Sequence, residues 1–365
     1  MRLQSIDTLN FKNIEEARLE LSPGVNCFVG RNGMGKSNLL EAVHFLSLAR
    51  PMQSMPESGL IRHGEEMLLV KGHYVMDSGA EEDVSIGIKR GKGKTLLRNG
   101  KEYGRISEHI GRFPIVAVTP SDSSLVTGSG EVRRKLLDVV ISQTDRAYLT
   151  ELIRYNRSLE SRNRMLRAGV RDKLLYESVE SGLAPAAATV HKARRDWTEA
   201  LKPLFQKYYS AVSGDAERVS LGYESALDKT PMKELLDSVR AKDSVLGFTS
   251  QGVHRDDLRM ELGGHSLRRV GSQGQLKSYV IALRLAIFEF LRERTGLTPI
   301  LLLDDIFDKL DSDRVGHIME AVSGGNAFGQ IFITDTNREH LDETIAALQG
   351  PSALFGVEDG RFTAI

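Results

Sequence analysis

The chain contains one cysteine, Cys27, so no disulfide can close within it, and a reducing compartment is expected. Cys27 lies in an apolar run and reads as core packing. Nowhere do the ~20 consecutive apolar residues of a membrane-spanning helix occur. The opening MRLQSIDTLNFKN also lacks the apolar stretch of a secretory signal. Net charge is missing too, because 49 Lys and Arg balance 49 Asp and Glu. Any nucleic-acid surface must then be a local patch. Internal repeats and low-complexity tracts are absent. These absences lead us to expect a soluble cytoplasmic protein. Its 365 residues, 41% hydrophobic, suffice for two domains or for one domain with a large insertion.

Three regimes follow along the chain. Residues 1–120 alternate strands with turns. Ala17–Leu21 and Val25–Val29 flank Ser22-Pro23-Gly24 and predict a hairpin. Leu68–Val75, Val84–Lys89 and Thr95–Arg98 predict antiparallel strands, the last ending at the favoured turn Asn99-Gly100. A helix is expected from Asn38 to about Leu48. Residues 121–245 carry helical periodicity almost throughout, with Gly182 and Pro185 as a break, and read as an inserted helical lobe. Residues 246–365 alternate helix (Gln275–Arg294) and buried strand (Pro299–Leu303, Gln330–Ile333), which implies a largely parallel sheet.

The strongest motif is Gly30-Arg31-Asn32-Gly33-Met34-Gly35-Lys36-Ser37, a match to G-x-x-x-x-G-K-[ST]. An apolar strand enters it and an amphipathic helix leaves it. Glycines let backbone N–H groups converge on phosphate oxygens at a helix N-terminus. Lys36 is expected to reach the β- and γ-phosphates of ATP, and Ser37 to ligate Mg²⁺. The metal also needs a carboxylate. The apolar strand Ile300–Leu303 ends in Asp304 and Asp305, so Asp304 is expected at the metal and Asp305 at the attacking water.

Between these motifs, Gly271-Ser272-Gln273-Gly274-Gln275 opens a helix and resembles the signature of ABC ATPases. A Ser hydroxyl and small-residue amides at a helix N-terminus suit an anion. After the acidic pair, Phe307-Asp308-Lys309-Leu310-Asp311 resembles the D-loop. The succession P-loop, insertion, signature, acidic strand end, D-loop resembles the ABC class. In that class the signature faces nucleotide held by a second subunit, so a homodimer is implied, with Ser272, Gln273, Gly274, Gln275 and Asp311 at the shared site. Two positions depart from the class. Asp305 stands where a Glu is usual, and Ile333-Thr334-Asp335-Thr336 replaces the switch histidine. Thr334 or Asp335 is therefore expected at the γ-phosphate or water, and hydrolysis is expected to be slow.

Leu9-Asn10-Phe11-Lys12-Asn13, Ile61-Arg62-His63-Gly64, Thr119-Pro120-Ser121-Asp122, Arg133-Arg134-Lys135-Leu136-Leu137-Asp138 and Gly252-Val253-His254-Arg255-Asp256-Asp257-Leu258 together resemble the RecF family over nearly the whole chain. The resemblance implies an α/β ABC-type head with an antiparallel β-lobe and an inserted helical lobe. Lys12 and Asn13 would lie near the nucleotide, and Thr119–Asp122 would replace the usual Q-loop. It further implies ATP-dependent dimerisation on double-stranded DNA near gaps or junctions, RecR and RecO as partners in recombinase loading, and a place at the nucleoid. The residues themselves support DNA contact through residues 133–173, where eleven Lys/Arg face five Asp/Glu. Arg133, Arg134, Lys135, Arg157, Arg162 and Arg164 are the candidates there. A solvated helix face is the competing reading of the same charges. His254, Arg255 and Asp256 read as a structural hydrogen-bond cluster. An SMC-type chromosome-organising head would need a longer insertion, a transporter ATPase lacks the N-terminal segment, and no metal cluster outside the ATP site suggests a nuclease.

Overall fold

The structure, a computed structural model, describes residues 1–53, 55–214, 217–306, 316–318, 320, 328–348 and 350–365, apart from the side chains of 344, 347 and 348. The D-loop stretch Phe307–Asp311 lies outside the described residues. Two compact units form: Met1–Asp122 with Tyr208–Ala216 and Lys277–Ile365, and Ser123–Lys207 with Glu217–Leu276.

In the first unit, two six-stranded sheets differ in kind. One is antiparallel, in the order β2 (Ile14–Glu20), β1 (Arg2–Phe11), β4 (Met67–Val75), β5 (Glu81–Lys89), β6 (Gly93–Arg98) and β7 (Lys101–Glu102). Its strands alternate in burial as a sheet with one wet face requires; in β5, Glu82, Val84, Ile86 and Ile88 point inward. The other sheet runs β15 (Arg361–Ala364), β14 (Ser352–Glu358), β3 (Val25–Val29), β13 (Ile331–Asp335), β12 (Ile300–Asp304), β8 (Ile115–Val118). From β14 to β8 every pairing in it is parallel. Strands β8, β12 and β13 are buried at every position, which explains their unbroken apolar runs. The helix Lys36–Leu48 packs against strands of both sheets and is buried on almost all sides.

The expected hairpin around Ser22-Pro23-Gly24 does not form. β2 pairs with β1, while β3 pairs with β13 and β14 in the other sheet. The turn is a crossing point between sheets: the Ser22 hydroxyl donates to the Pro351 carbonyl at 2.7 Å, and Asn26 and Ser22 bond reciprocally.

The second unit contains the helices Gly130–Thr144, Arg146–Arg167 and Met232–Leu246, and a small sheet of β9 (Val219–Glu224), β10 (Asp257–Leu262) and β11 (His265–Ser266). The predicted break at Gly182 and Pro185 is also overturned. One 41-residue helix, Lys173–Ser213, runs through both Pro185 and Pro203. Leu183, Ala186, Ala187 and Val190 are fully buried there, and that packing outweighs the hydrogen bond each proline removes.

Candidate functional site

The P-loop leaves β3 and enters its helix through two backbone reversals, at Gly33 (φ 82°) and Gly35 (φ 114°). A side chain at Gly35 would also strike the Asn13 amide at 2.9 Å. Arg31, Asn32, Gly33 and Ser37 face solvent, whereas Lys36 is only 6% exposed. The Lys36 ammonium donates to the carbonyls of Gly30 at 2.5 Å and Arg31 at 3.0 Å. Burial pulls its pKa below the usual lysine value, while Asp305, Asp304 and Asp335 pull it back.

Across from the loop, one carboxylate oxygen organises the acidic strand end. Asp304 Oδ1 accepts from the Ser37 hydroxyl and from the Thr334 hydroxyl, each at 2.7 Å. Thr334 Oγ1 in turn accepts the Asp305 N–H at 3.0 Å. Asp305 turns the chain with φ 48°, a left-handed conformation that Asp tolerates better than most residues. Lys36, Ser37, Asp304 and Asp305 thus border a single cavity of about 150 Å³, with Pro120 at its edge. Ser37 and Asp304 together offer hard oxygen donors, the donor type Mg²⁺ selects.

Thr334 is also among the residues that border this cavity. Its surface is entirely buried, and its single proton is committed to Asp304. Through these bonds Thr334 ties the Asp304 side chain to the Asp305 backbone. Asp335 likewise turns inward, accepting from the Asn337 amide and facing His340.

Neighbours named in the sequence reading complete the site, and two of their partners, Glu41 and Arg284, escaped it. Asn13 bridges the site by donating to the Gly33 carbonyl at 3.2 Å and accepting from Asn38 at 2.7 Å. Lys12 is ion-paired with the buried Glu41, on the inward side of the P-loop helix. In the Thr119–Asp122 segment, Asp122 accepts the Thr119 N–H and forms a two-pronged pair with Arg284 at 2.6 and 3.0 Å. Ser121 bonds the Thr119 hydroxyl at 2.8 Å. Nothing local in sequence marks Glu41 or Arg284, because each acquires its partner only through the fold.

In the second unit, the signature residues open their helix with a reciprocal cap. Ser272 Oγ accepts the Gln275 N–H, and the Gln275 side chain accepts the Ser272 N–H at 2.8 Å. Gly271 has no room for a side chain, with Leu276 2.4 Å from a Cβ there. Ser272 and Gln273 remain exposed, while Gly274 is half-buried.

The basic candidates separate by burial. Arg162 is wholly buried, bonded to Glu180, Asp243 and Thr249, so it is no DNA contact. Arg133 is spent on a two-pronged pair with Asp257 and on the carbonyls of Leu125 and Gly128. Arg134 donates to the Asp256 carbonyl at 2.6 Å. Lys135 is exposed beside Glu131 at 3.6 Å. Arg146, Arg157 and Arg164 are exposed on the helix Arg146–Arg167 and fall within about 20° of one line along it. The 252–258 segment is structural as expected. His254 bonds Tyr155 and the Thr249 carbonyl, Asp256 takes the Tyr223 hydroxyl, and Arg194 beside them reaches Asp138 and the Val253 carbonyl.

With that geometry established, comparison with known proteins is decisive. The family model described as RecF/RecN/SMC N terminal domain matches residues 2–352. Two curated relatives, each called DNA replication and repair protein RecF, are 47% identical in Parabacteroides distasonis and 48% in Porphyromonas gingivalis. These alignments cover 99% of this chain and 98% and 99% of the relatives. The chain belongs to the RecF family. A solved structure of the recombination mediator protein RecF with ATP in the RecFOR pathway superposes with a TM-score of 0.89 at 30% identity, over all of this chain and 97% of that one. An SMC head bound to the C-terminal winged-helix domain of ScpA superposes at 0.58 and 16% identity, a likeness of fold alone. The RecF-family chain therefore has the ABC-type head fold expected of it, mixed α/β sheets with a helical lobe. Among the described residues, no helix is long and apolar enough to cross a membrane.

Proposed function

We propose that this chain is an ATP-gated, DNA-binding ATPase of recombinational repair and replication-fork maintenance. The observation that carries the reading is the convergence of the Ser37 and Thr334 hydroxyls on Asp304 beside the buried Lys36. Relatives named for DNA replication and repair, and a RecF structure with ATP, support it.

In this reading Lys36 leaves its carbonyl partners for the β- and γ-phosphates. The P-loop amides, held by the two left-handed glycines, receive the phosphate oxygens. Ser37 and Asp304 would hold Mg²⁺, which would supply neutralising charge at the phosphates. Asp305 orients the attacking water. Its side chain is one methylene shorter than the usual Glu, and hydrolysis is correspondingly slow. Asn13 steadies the loop from its N-terminal side. Ser272, Gln273, Gly274 and Gln275 of one copy face the nucleotide of the other, with Asp311 at the same interface, so ATP joins two copies. Closure sets exposed arginines of both copies along double-stranded DNA near a gap or junction, and hydrolysis releases it. Arg157 and Arg164, with Lys135, are the DNA contacts kept from the sequence reading, and Arg146 joins them. RecR and RecO are the partners through which recombinase loading follows, in the cytoplasm at the nucleoid.

Two substitutions test the site. Lys36→Ala is expected to abolish nucleotide-dependent effects. Ser272→Arg is expected to retain ATP binding but to remain monomeric in light scattering with ATP·Mg²⁺. A Ser272→Arg chain that still dimerises with ATP would contradict the cross-subunit site.

A further inference from the structure

The sequence Lys89-Arg90-Gly91-Lys92-Gly93-Lys94 places four cations in six residues, and it forms the turn between β5 and β6 in the first unit. Lys89 pairs with Gly93 across the turn, and the Lys92 N–H closes it onto the Lys89 carbonyl at 3.0 Å. Gly91 (φ 71°) and Gly93 (φ 82°) both need the left-handed region, and neither has any atom near its missing side chain. The glycines therefore serve the turn's shape and leave its surroundings open to a large ligand.

One of the four cations is consumed structurally. Lys94 is half-buried against the Ala49 carbonyl and paired with Glu57. Lys89, Arg90 and Lys92 are exposed, and among the described residues none of them has a carboxylate within ion-pair distance. Arg90 is nonetheless fixed in place. Its backbone N–H donates to the Glu66 carbonyl and its Nε to the Glu65 carbonyl, both at 2.9 Å. The two glutamates thus anchor Arg90 through their backbones, and both terminal nitrogens of its guanidinium stay available. Three outward cations with an anchored guanidinium among them match a run of phosphates.

We propose that this β5–β6 turn is a DNA-backbone contact, additional to the exposed arginines of the helix Arg146–Arg167. The inference rests on the DNA-binding reading above. It is independent of base sequence, since contacts to phosphates carry no sequence information directly. Lys89→Ala, Arg90→Ala and Lys92→Ala combined keep both glycines and touch no residue of the nucleotide site.

The test is fluorescence anisotropy of a labelled duplex with ATP·Mg²⁺ at several salt concentrations, comparing the full-length chain with the triple variant. Each phosphate contact contributes about 0.9 to the slope of log affinity against log salt, or roughly eightfold in affinity at 0.1 M salt. The triple variant is expected to lose about two to three units of slope, with unchanged binding of a fluorescent ATP analogue. The lysine-retaining swap Arg90→Lys should keep most of the slope. An unchanged slope in the triple variant, beside a wild-type chain that binds, overturns this contact and leaves the DNA reading intact. A wild-type chain that fails to bind the duplex overturns both.

Discussion

His254 and His109 solve the same problem in different units. In each ring Nε2 faces a backbone carbonyl, Thr249 at 2.9 Å and Leu46 at 2.6 Å, and a carbonyl can only accept. Nε2 therefore carries the proton, and Nδ1 accepts from a tyrosine hydroxyl, Tyr155 at 2.6 Å and Tyr103 at 3.2 Å. Burial pushes both imidazoles down to about 4, more than the carbonyl contacts raise them. The unfolded rings titrate near 6.5, so below that pH the unfolded chain takes up protons the folded one refuses. Stability is then complete above about pH 6.5 and falls toward pH 4, by up to about 1.4 kcal/mol per pH unit for each ring. Urea unfolding at pH 7.5 and pH 5.0 should give a lower midpoint at pH 5.0, with a smaller difference in His254→Gln. Equal midpoints in the wild-type chain would contradict this assignment. Residue roles were legible only where chemistry is contiguous. Lys36 and Ser37 adjoin in the chain, but Arg162 cannot be told from Arg164 without Glu180 and Asp243, which lie 18 and 81 residues away from it. The bond from the Thr334 hydroxyl to Asp304, 30 residues upstream, is equally invisible in the sequence.

Among the elements, the C-terminal hairpin of β14 and β15 does more than complete a sheet. Its turn residue Gly360 (φ 76°) donates its N–H to the Met34 carbonyl in the P-loop at 2.8 Å. A side chain at Gly360 would lie 2.5 Å from the Asn13 carbonyl oxygen, and one at Gly30 would lie 2.3 Å from that of Val357. The hairpin therefore braces the P-loop. Gly360→Val is expected to lower ATP turnover at least tenfold, since catalytic geometry is sensitive to shifts of about 1 Å. Gly79 supplies the control: it has φ 82° in another turn and open space around it, so Gly79→Val should strain its turn and spare turnover. Equal losses in the two variants would reduce the brace to a general folding effect. Elements with their own period were readable, including β5 with its alternation and the P-loop helix. The hairpin expected at Ser22–Gly24 failed because adjacent strands can join different sheets, and no local pattern records which sheet β3 enters. The helix Lys173–Ser213 was cut short in the reading because proline is a local signal, while the packing that overrides it is tertiary.

For the whole molecule, a chain without net charge gives no hint of a polyanionic partner. Local basic features remain, among them one line of arginines on the helix Arg146–Arg167 and the β5–β6 turn. The fold class was legible because the P-loop, signature and acidic strand end come in a fixed order, each with its own chemistry. The expectation of a second copy rests only on the ABC resemblance, since no property of one chain's residues requires a partner. Salt and nucleotide are then the two variables that separate a gated DNA clamp from a passive basic protein. The most direct measurement is anisotropy of a labelled duplex titrated with this protein in ATP·Mg²⁺ and in ADP·Mg²⁺, at two salt concentrations. Tighter, salt-sensitive binding with ATP is the predicted result. Equal binding in the two nucleotides, or none in either, would contradict the claim that ATP gates this chain onto DNA.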